Sequence, residues 1–170
     1  MRRAVYAGSF NPPTNGHVWM IEQGRNLFDK LIVAVALNPR KKSAPVFSLQ
    51  ERVEMLKELT KAYSNVSVHH FDKEYLVNYA QSVGAQYILR GIRTDEDYEY
   101  ERRMRHANSK LNNNIETVFL MPPIEFEDVS SSFIMDELIG PNNWEEAVKQ
   151  YVPEQIYKRI LEKKVHLGIK

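Results

Sequence analysis

The chain has 170 residues, 43% hydrophobic and 26% charged, with 23 Lys and Arg against 22 Asp and Glu. That balance fits one soluble globular domain and gives no bulk charge to draw it to nucleic acid or a membrane. It has no cysteine, which excludes disulfides, thiolate metal sites and thiol nucleophiles together.

Two continuous apolar, β-branched runs, RAVYAG (Arg3–Gly8) and KLIVAVALN (Lys30–Asn38), have the pattern of strands buried on both faces. Even the LIVAVAL core of the second is too short to span a bilayer. The opening MRRAVYAG lacks the apolar core and cleavage site of a signal peptide, so a cytoplasmic location is expected. Between the strands, GHVWMIEQGRNLFD predicts a helix with Val18, Ile21, Leu27 and Phe28 on one side. SLQERVEMLKELTKAY predicts a second helix: Ser48 and Glu51 make a capping box, and Leu49, Val53, Leu56 and Leu59 the apolar stripe. VSVHHF (Val66–Phe71) reads as a strand, followed by a short helix around Leu76–Val83. QYILRGIR (Gln86–Arg93) is a strand, DEDYEYERRMRHANSKL a long charged helix, and ETVFLMP (Glu116–Pro122) the last strand. Three helical segments close the chain, SSSFIMDELI, NWEEAVKQYV and PEQIYKRILEKK, with Pro153 suited to the first helical position of the last.

Strands alternating with helices predict an α/β fold with a Rossmann-like, doubly wound, five-stranded parallel sheet, because parallel strands require crossover helices. The expected organisation is a single domain over 1–170, with an α/β core at 1–139 and C-terminal helices at 140–170.

Open α/β sheets bind ligands beyond the carboxyl ends of their strands. Four loops there carry unusual residues: GSFNPPTNGH after the first strand, NPRKK with Lys41 and Lys42 after the second, RGIR with Arg90 and Arg93 after the fourth, and PPIEFEDVSSS after the fifth. Taken singly each has a plain reading, as a tight turn, a solvated loop, or a helix cap at Ser130, Ser131 and Ser132. Together they suit an anionic ligand with several phosphates. His17 adds to this. A charged histidine at a helix start opposes the dipole, whereas a neutral one can donate to a phosphate oxygen.

The chain lacks G-x-x-x-x-G-K-[ST], G-x-S-x-G and, after the first strand, G-x-G-x-x-G. His69 and His70 alternate along a strand and cannot face one site, and Asp95, Glu96 and Asp97 fit a helix start. The inventory is donors without an evident base or nucleophile. A phosphate monoester needs neither, since it is already largely dianionic at neutral pH. Attack by such a phosphate on the α-phosphorus of ATP needs alignment and donors around the developing charge.

GSFNPPTNGH, RGIRTDEDYEYE and VFLMPP…VSSS, in this order, resemble the bacterial phosphopantetheine adenylyltransferases, members of the nucleotidyltransferase superfamily with T/H-x-G-H motifs. The resemblance runs through nearly the whole chain, including VPEQIYKRIL. It implies adenylyl transfer from ATP to 4′-phosphopantetheine, giving dephospho-coenzyme A and pyrophosphate by direct in-line attack without a covalent intermediate. By the same resemblance His17, Lys41 and Arg90 are catalytic, with His17 stabilising the transition state. Ser9, Phe10, His17, Gly91, Ile92, Arg93 and Glu101 bind ATP, as do Phe126, Glu127, Asp128, Val129, Ser130, Ser131 and Ser132. Ser9, Lys41, Leu76, Arg90 and Asn108 bind the second substrate. Because the loop from Pro39 to Pro45 is longer than usual, Lys42 is the alternative to Lys41. The resemblance further implies Mg²⁺ without a protein metal site, a cytoplasmic homohexamer, coenzyme A as feedback inhibitor, and no nucleic-acid or membrane partner.

Three departures stand out. Asn11 replaces the usual Asp, Pro13 gives an FNPP more familiar in nicotinate mononucleotide adenylyltransferases, and Met135 stands where related motifs have Arg or Lys. Thr14 and the RGIR…DYEYE block favour phosphopantetheine over a mononucleotide as acceptor. The rival of another class is a nucleotide-binding module that has lost catalysis.

Overall fold

The computed structural model describes residues 1–37, 45–72, 74–127, 129–134 and 144–167. The expectations for Lys41, Lys42, Asp128 and Met135 lie outside the described residues.

The core alternates strand and helix: β1 (Arg3–Gly8), α1 (Asn15–Leu27), β2 (Lys30–Ala36), α2 (Leu49–Thr60), β3 (Val66–Phe71), α3 (Leu76–Ser82), β4 (Tyr87–Gly91), α4 (Asp95–Leu111) and β5 (Glu116–Leu120). A 3₁₀ turn at Ile124–Phe126, a helical stretch at 131–134, α5 (Trp144–Tyr151) and α6 (Glu154–Leu167) complete it. The five strands are all parallel in the order β3-β2-β1-β4-β5. This is the expected doubly wound sheet, and its order reverses between β1 and β4, where a crevice opens.

Each face of the sheet carries its own core. Ala4, Tyr6, Leu31, Val33, Val35 and Leu89 point to one side, against Met20 and Ile21 of α1 and Val53 and Leu56 of α2. Val5, Ala7, Ile32, Ala34 and Ile88 point to the other, against Val77, Tyr79 and Ala80 of α3. The predicted α1 stripe is corrected here. Leu27 is exposed, Phe28 caps the helix end, and the buried face is Met20, Ile21 and Gly24. Gly24 belongs there because a Cβ would stand 2.8 Å from Leu89 Cδ2, so its missing side chain lets α1 approach the sheet.

The C-terminal helices pack on α2. Phe47, Met55 and Ile134 share a third cluster with Val148, Val152, Ile156 and Ile160, while Lys163 pairs with Glu51 at 2.8 Å and Arg159 with Glu58 at 3.3 Å. Pro153 sits one residue earlier than expected, just outside α6. Its carbonyl accepts from the N–H of Tyr157, which makes it the cap rather than the first helical residue.

Candidate active site

A cavity of about 250 Å³ opens where β1 and β4 end. The loops after β1, β4 and β5 all reach it, through Gly8, Ser9, Thr14 and His17, through Arg90, Gly91 and Arg93, and through Phe126, Val129 and the three serines. Three of the four loops singled out by the sequence therefore meet as expected.

The β1–α1 loop is built around a buried Phe10. Its backbone is left-handed (φ 45°), and its ring packs edge-on against Tyr6 at 5.6 Å and His17 at 5.0 Å. Gly8 makes room for it, since a Cβ there would stand 3.1 Å from the ring. Phe10 is thus part of the core and does not line the cavity with its side chain. Asn11, the departure from the usual Asp, accepts the Phe47 N–H at 3.0 Å through Oδ1. A carboxylate could accept the same bond.

Thr14 caps α1, and a capping box binds it to His17. The Thr14 N–H donates to His17 Nδ1 at 3.0 Å, and Thr14 Oγ1 lies 2.8 Å from the same nitrogen. A backbone N–H can only donate, so Nδ1 is the acceptor and the ring proton resides on Nε2. Burial, with a smaller contribution from the Arg93 charge, lowers the His17 pKa to about 4. His17 is accordingly a neutral donor on the cavity wall at neutral pH.

Both arginines of the RGIR loop are paired within the chain. Arg90 donates through Nε to Glu101 at 2.9 Å and through Nη1 to the Ala7 carbonyl at 2.9 Å, with Nη2 also on Glu101. Arg93 pairs with Asp97 at 2.9 Å and donates to the Val129 carbonyl at 3.2 Å. Two guanidiniums face two carboxylates, so the described cavity wall is close to neutral. A partly buried cation needs such a partner in the absence of ligand. Burial lowers and Glu101 raises the Arg90 pKa, and the pairing wins.

The serines divide their work. Ser130 Oγ accepts the Phe133 N–H at 3.1 Å, as a cap does. Ser131 is buried and donates to the Pro12 carbonyl at 2.8 Å, tying this turn to the β1–α1 loop. Ser132 is exposed on the cavity rim. Ile92 and Glu127 each adjoin cavity residues in sequence but do not line the cavity themselves. Leu76 and Asn108 do not either. Leu76 packs against the α3-side core, and the Asn108 carbonyl accepts the closing N–H of α4 from Asn112.

The sequence reading missed Tyr6, Met20 and Asp97 as cavity residues. Tyr6 and Met20 look like ordinary core side chains. In the sequence Asp97 reads only as a dipole partner, although its i,i+4 spacing from Arg93 and its place three residues after the Thr94 cap are visible there. Among the described residues no group of three or more His, Asp or Glu could hold a metal.

The chain matches the cytidylyltransferase-like family over residues 5–137. It is similar to the phosphopantetheine adenylyltransferase of Chromobacterium violaceum, at 55% identity over 95% of this chain and 96% of that one. It is also similar to that of Neisseria meningitidis serogroup B, at 51% over 97% and 95%, and to that of Caldanaerobacter subterraneus, at 46% over 96% and 98%. Among solved structures, the Plasmodium falciparum nicotinic acid mononucleotide adenylyltransferase complexed with NaAD shares the fold, with a TM-score of 0.65, 17% identity, and 99% and 98% of the two chains covered.

Proposed function

The chain belongs to the cytidylyltransferase-like family and, within it, to the phosphopantetheine adenylyltransferases, and from that premise we propose how its cavity carries out the reaction. The enzyme is a nucleotidyltransferase of coenzyme A synthesis that makes dephospho-coenzyme A from ATP and 4′-phosphopantetheine. An oxygen of the phosphopantetheine phosphate attacks the α-phosphorus. The bond between the α-phosphorus and the α–β bridging oxygen breaks, and pyrophosphate leaves. The attacking phosphate needs no deprotonation, so the chain supplies placement and hydrogen-bond donors rather than a base.

The observation that carries this reading is the capped, neutral His17, whose Nε2–H is left as a donor on a cavity wall at the start of α1. In the proposal it donates to a phosphoryl oxygen of the transition state. Arg93, Gly91 and the turn at Val129–Ser132 hold ATP, with Ser9 between the two substrates. Arg90 holds the phosphopantetheine phosphate, and Glu101 keeps its guanidinium oriented until that phosphate arrives. Leu76 and Asn108, both outside the cavity, would serve only the distal pantetheine arm.

Mg²⁺ is proposed to arrive on the triphosphate. The carboxylates of the described wall, Asp97 and Glu101, are engaged by Arg93 and Arg90, and Mg²⁺ commonly binds through substrate phosphates. Bound there, it would neutralise charge on the departing pyrophosphate. A hexamer is part of the proposal, and the exposed apolar side chains Tyr98, Tyr100, Leu111, Met121 and Ile124 on and beyond α4 and β5 are candidates for its contacts. Coenzyme A, which contains the adenosine and pantetheine parts of the product, is the proposed competitive inhibitor. No helix among the described residues is long and apolar enough to cross a membrane, and a cytoplasmic location is part of the proposal.

Pyrophosphate release from ATP and Mg²⁺, with 4′-phosphopantetheine and nicotinate mononucleotide as parallel acceptors, tests the function. Release with phosphopantetheine alone supports it. Release with the mononucleotide alone makes the chain a sister enzyme, and release with neither, despite ATP binding, makes it a non-catalytic module.

A further inference from the structure

Three arginines grip backbone carbonyls of residues on the cavity wall: Arg90 that of Ala7, Arg93 that of Val129, and Arg52 that of Ser9 at 2.9 Å. The first two have carboxylate partners and belong to recognisable motifs. Arg52 differs on both counts. It lies on α2, it is buried, and among the described residues its guanidinium meets only the carbonyls of Ser9 and Ser48. A buried cation with no anion beside it is a costly arrangement that calls for a reason.

The Ser9 carbonyl belongs to the peptide unit that also contains the Phe10 N–H. Among the described residues the only cis bond is Asn11–Pro12, so the Ser9–Phe10 unit is trans and its N–H points opposite to its C=O. Ser9 lines the cavity and Arg52 does not. Drawing the carbonyl toward α2 therefore turns the Phe10 N–H the other way. No acceptor among the described residues takes that N–H, and the Phe10 backbone is left-handed (φ 45°), unusual for a residue with a Cβ.

We propose that Arg52 is a positioning residue that holds the Ser9–Phe10 peptide with its N–H aimed at an ATP phosphate, while its own unpaired charge favours that anion from behind the loop. The bound anion provides the opposite charge that Arg52 lacks among the described residues. The inference rests on ATP being the ligand of this cavity, and it goes beyond the motif residues because Arg52 touches neither substrate.

The test follows the Phe10 amide resonance of the ¹⁵N-labelled chain as ATP is added, in wild type and in Arg52→Lys, which keeps the charge but not the fork, and Arg52→Gln, which loses the charge. The expected result is a downfield shift in wild type that is lost in Arg52→Gln and reduced in Arg52→Lys. The KM for ATP should rise about tenfold in Arg52→Gln, the size of one charge-assisted hydrogen bond, with little change in the KM for phosphopantetheine. A Phe10 amide that ignores ATP in wild type overturns the proposal. So do folded variants whose two KM values rise together or stay put, since a merely structural arginine would give that. If neither variant folds, the Arg52 Nε–H resonance of the wild type decides: a shift together with the Phe10 amide as ATP is added supports the coupling, and a guanidinium that ignores ATP overturns it. Failure of wild type to release pyrophosphate with phosphopantetheine would instead strike the proposed function, because the amide response needs only ATP binding.

Discussion

Thr14 gives its backbone N–H to Nδ1 of His17 at 3.0 Å, and that bond determines what the histidine can do. It joins a helix cap to a ring tautomer. The cap residue ends the loop that β1 delivers to the cavity, and the ring three residues on is left with its one proton on the other nitrogen. The donor is held by the helix start itself, which pre-organises it for charge that develops during reaction.

His17→Ala is expected to lower kcat by about 10²–10³, the loss typical of removing one such donor, while changing the ATP dissociation constant far less. Steady-state kinetics beside calorimetric titration of ATP reads the two quantities apart. Equal losses in turnover and affinity would mark His17 as a general binding residue.

The titration of His17 follows from its environment. With the pKa lowered from 6.5 to about 4, the ring stays neutral through the physiological range, and its NMR titration midpoint should fall near 4. The unfolded chain takes up this proton below about 6.5 while the folded chain does not. His17 therefore makes folding stability decline as pH falls from about 6.5 toward 4, and contributes no pH dependence above that window. A midpoint near 6.5 would remove the neutral-donor account.

Arg90 and Glu101 are expected to separate by substrate and by stability. Arg90→Ala should raise the KM for phosphopantetheine more than that for ATP, and an effect confined to ATP would put Arg90 on the other side of the cavity. Glu101→Gln leaves the guanidinium with a neutral partner. Because Arg90 is 26% exposed, the cost should fall below that of breaking a fully buried pair, at about 2 kcal/mol by urea denaturation.

Ser131→Ala removes the bond to the Pro12 carbonyl and leaves a buried acceptor unpaired, at about 1–3 kcal/mol. Since this bond ties the serine turn to the β1–α1 loop, the KM for ATP should rise as well. Ser130→Ala loses only a cap, about 1 kcal/mol, and chemical denaturation of both variants tests the order.

The fold was legible because its signals are local. β1, β3 and α4 begin and end where the apolar runs, the Thr94 cap and the flanking polar residues say they should. Ser48 and Glu51 form the capping box that their spacing predicts. What the sequence hid depends on residues distant along the chain. Gly24 reads as a weak point in a helix until Leu89 is found against it. Arg52 reads as one more charge on an amphipathic helix until the Ser9 carbonyl, 43 residues away in sequence, is found on it. The cavity's near neutrality was hidden for the same reason, since Arg90 and Glu101 are 11 residues apart and meet only through β4 and α4.

The central claim is that phosphopantetheine attacks the α-phosphorus directly, with no group of the chain adenylated on the way. Turnover of one diastereomer of adenosine 5′-O-(1-thiotriphosphate) with phosphopantetheine tests it, the configuration at phosphorus being read in the product. Inversion is the result expected of a single in-line displacement. Retention would mean two displacements, and with them an adenylated residue that this account excludes.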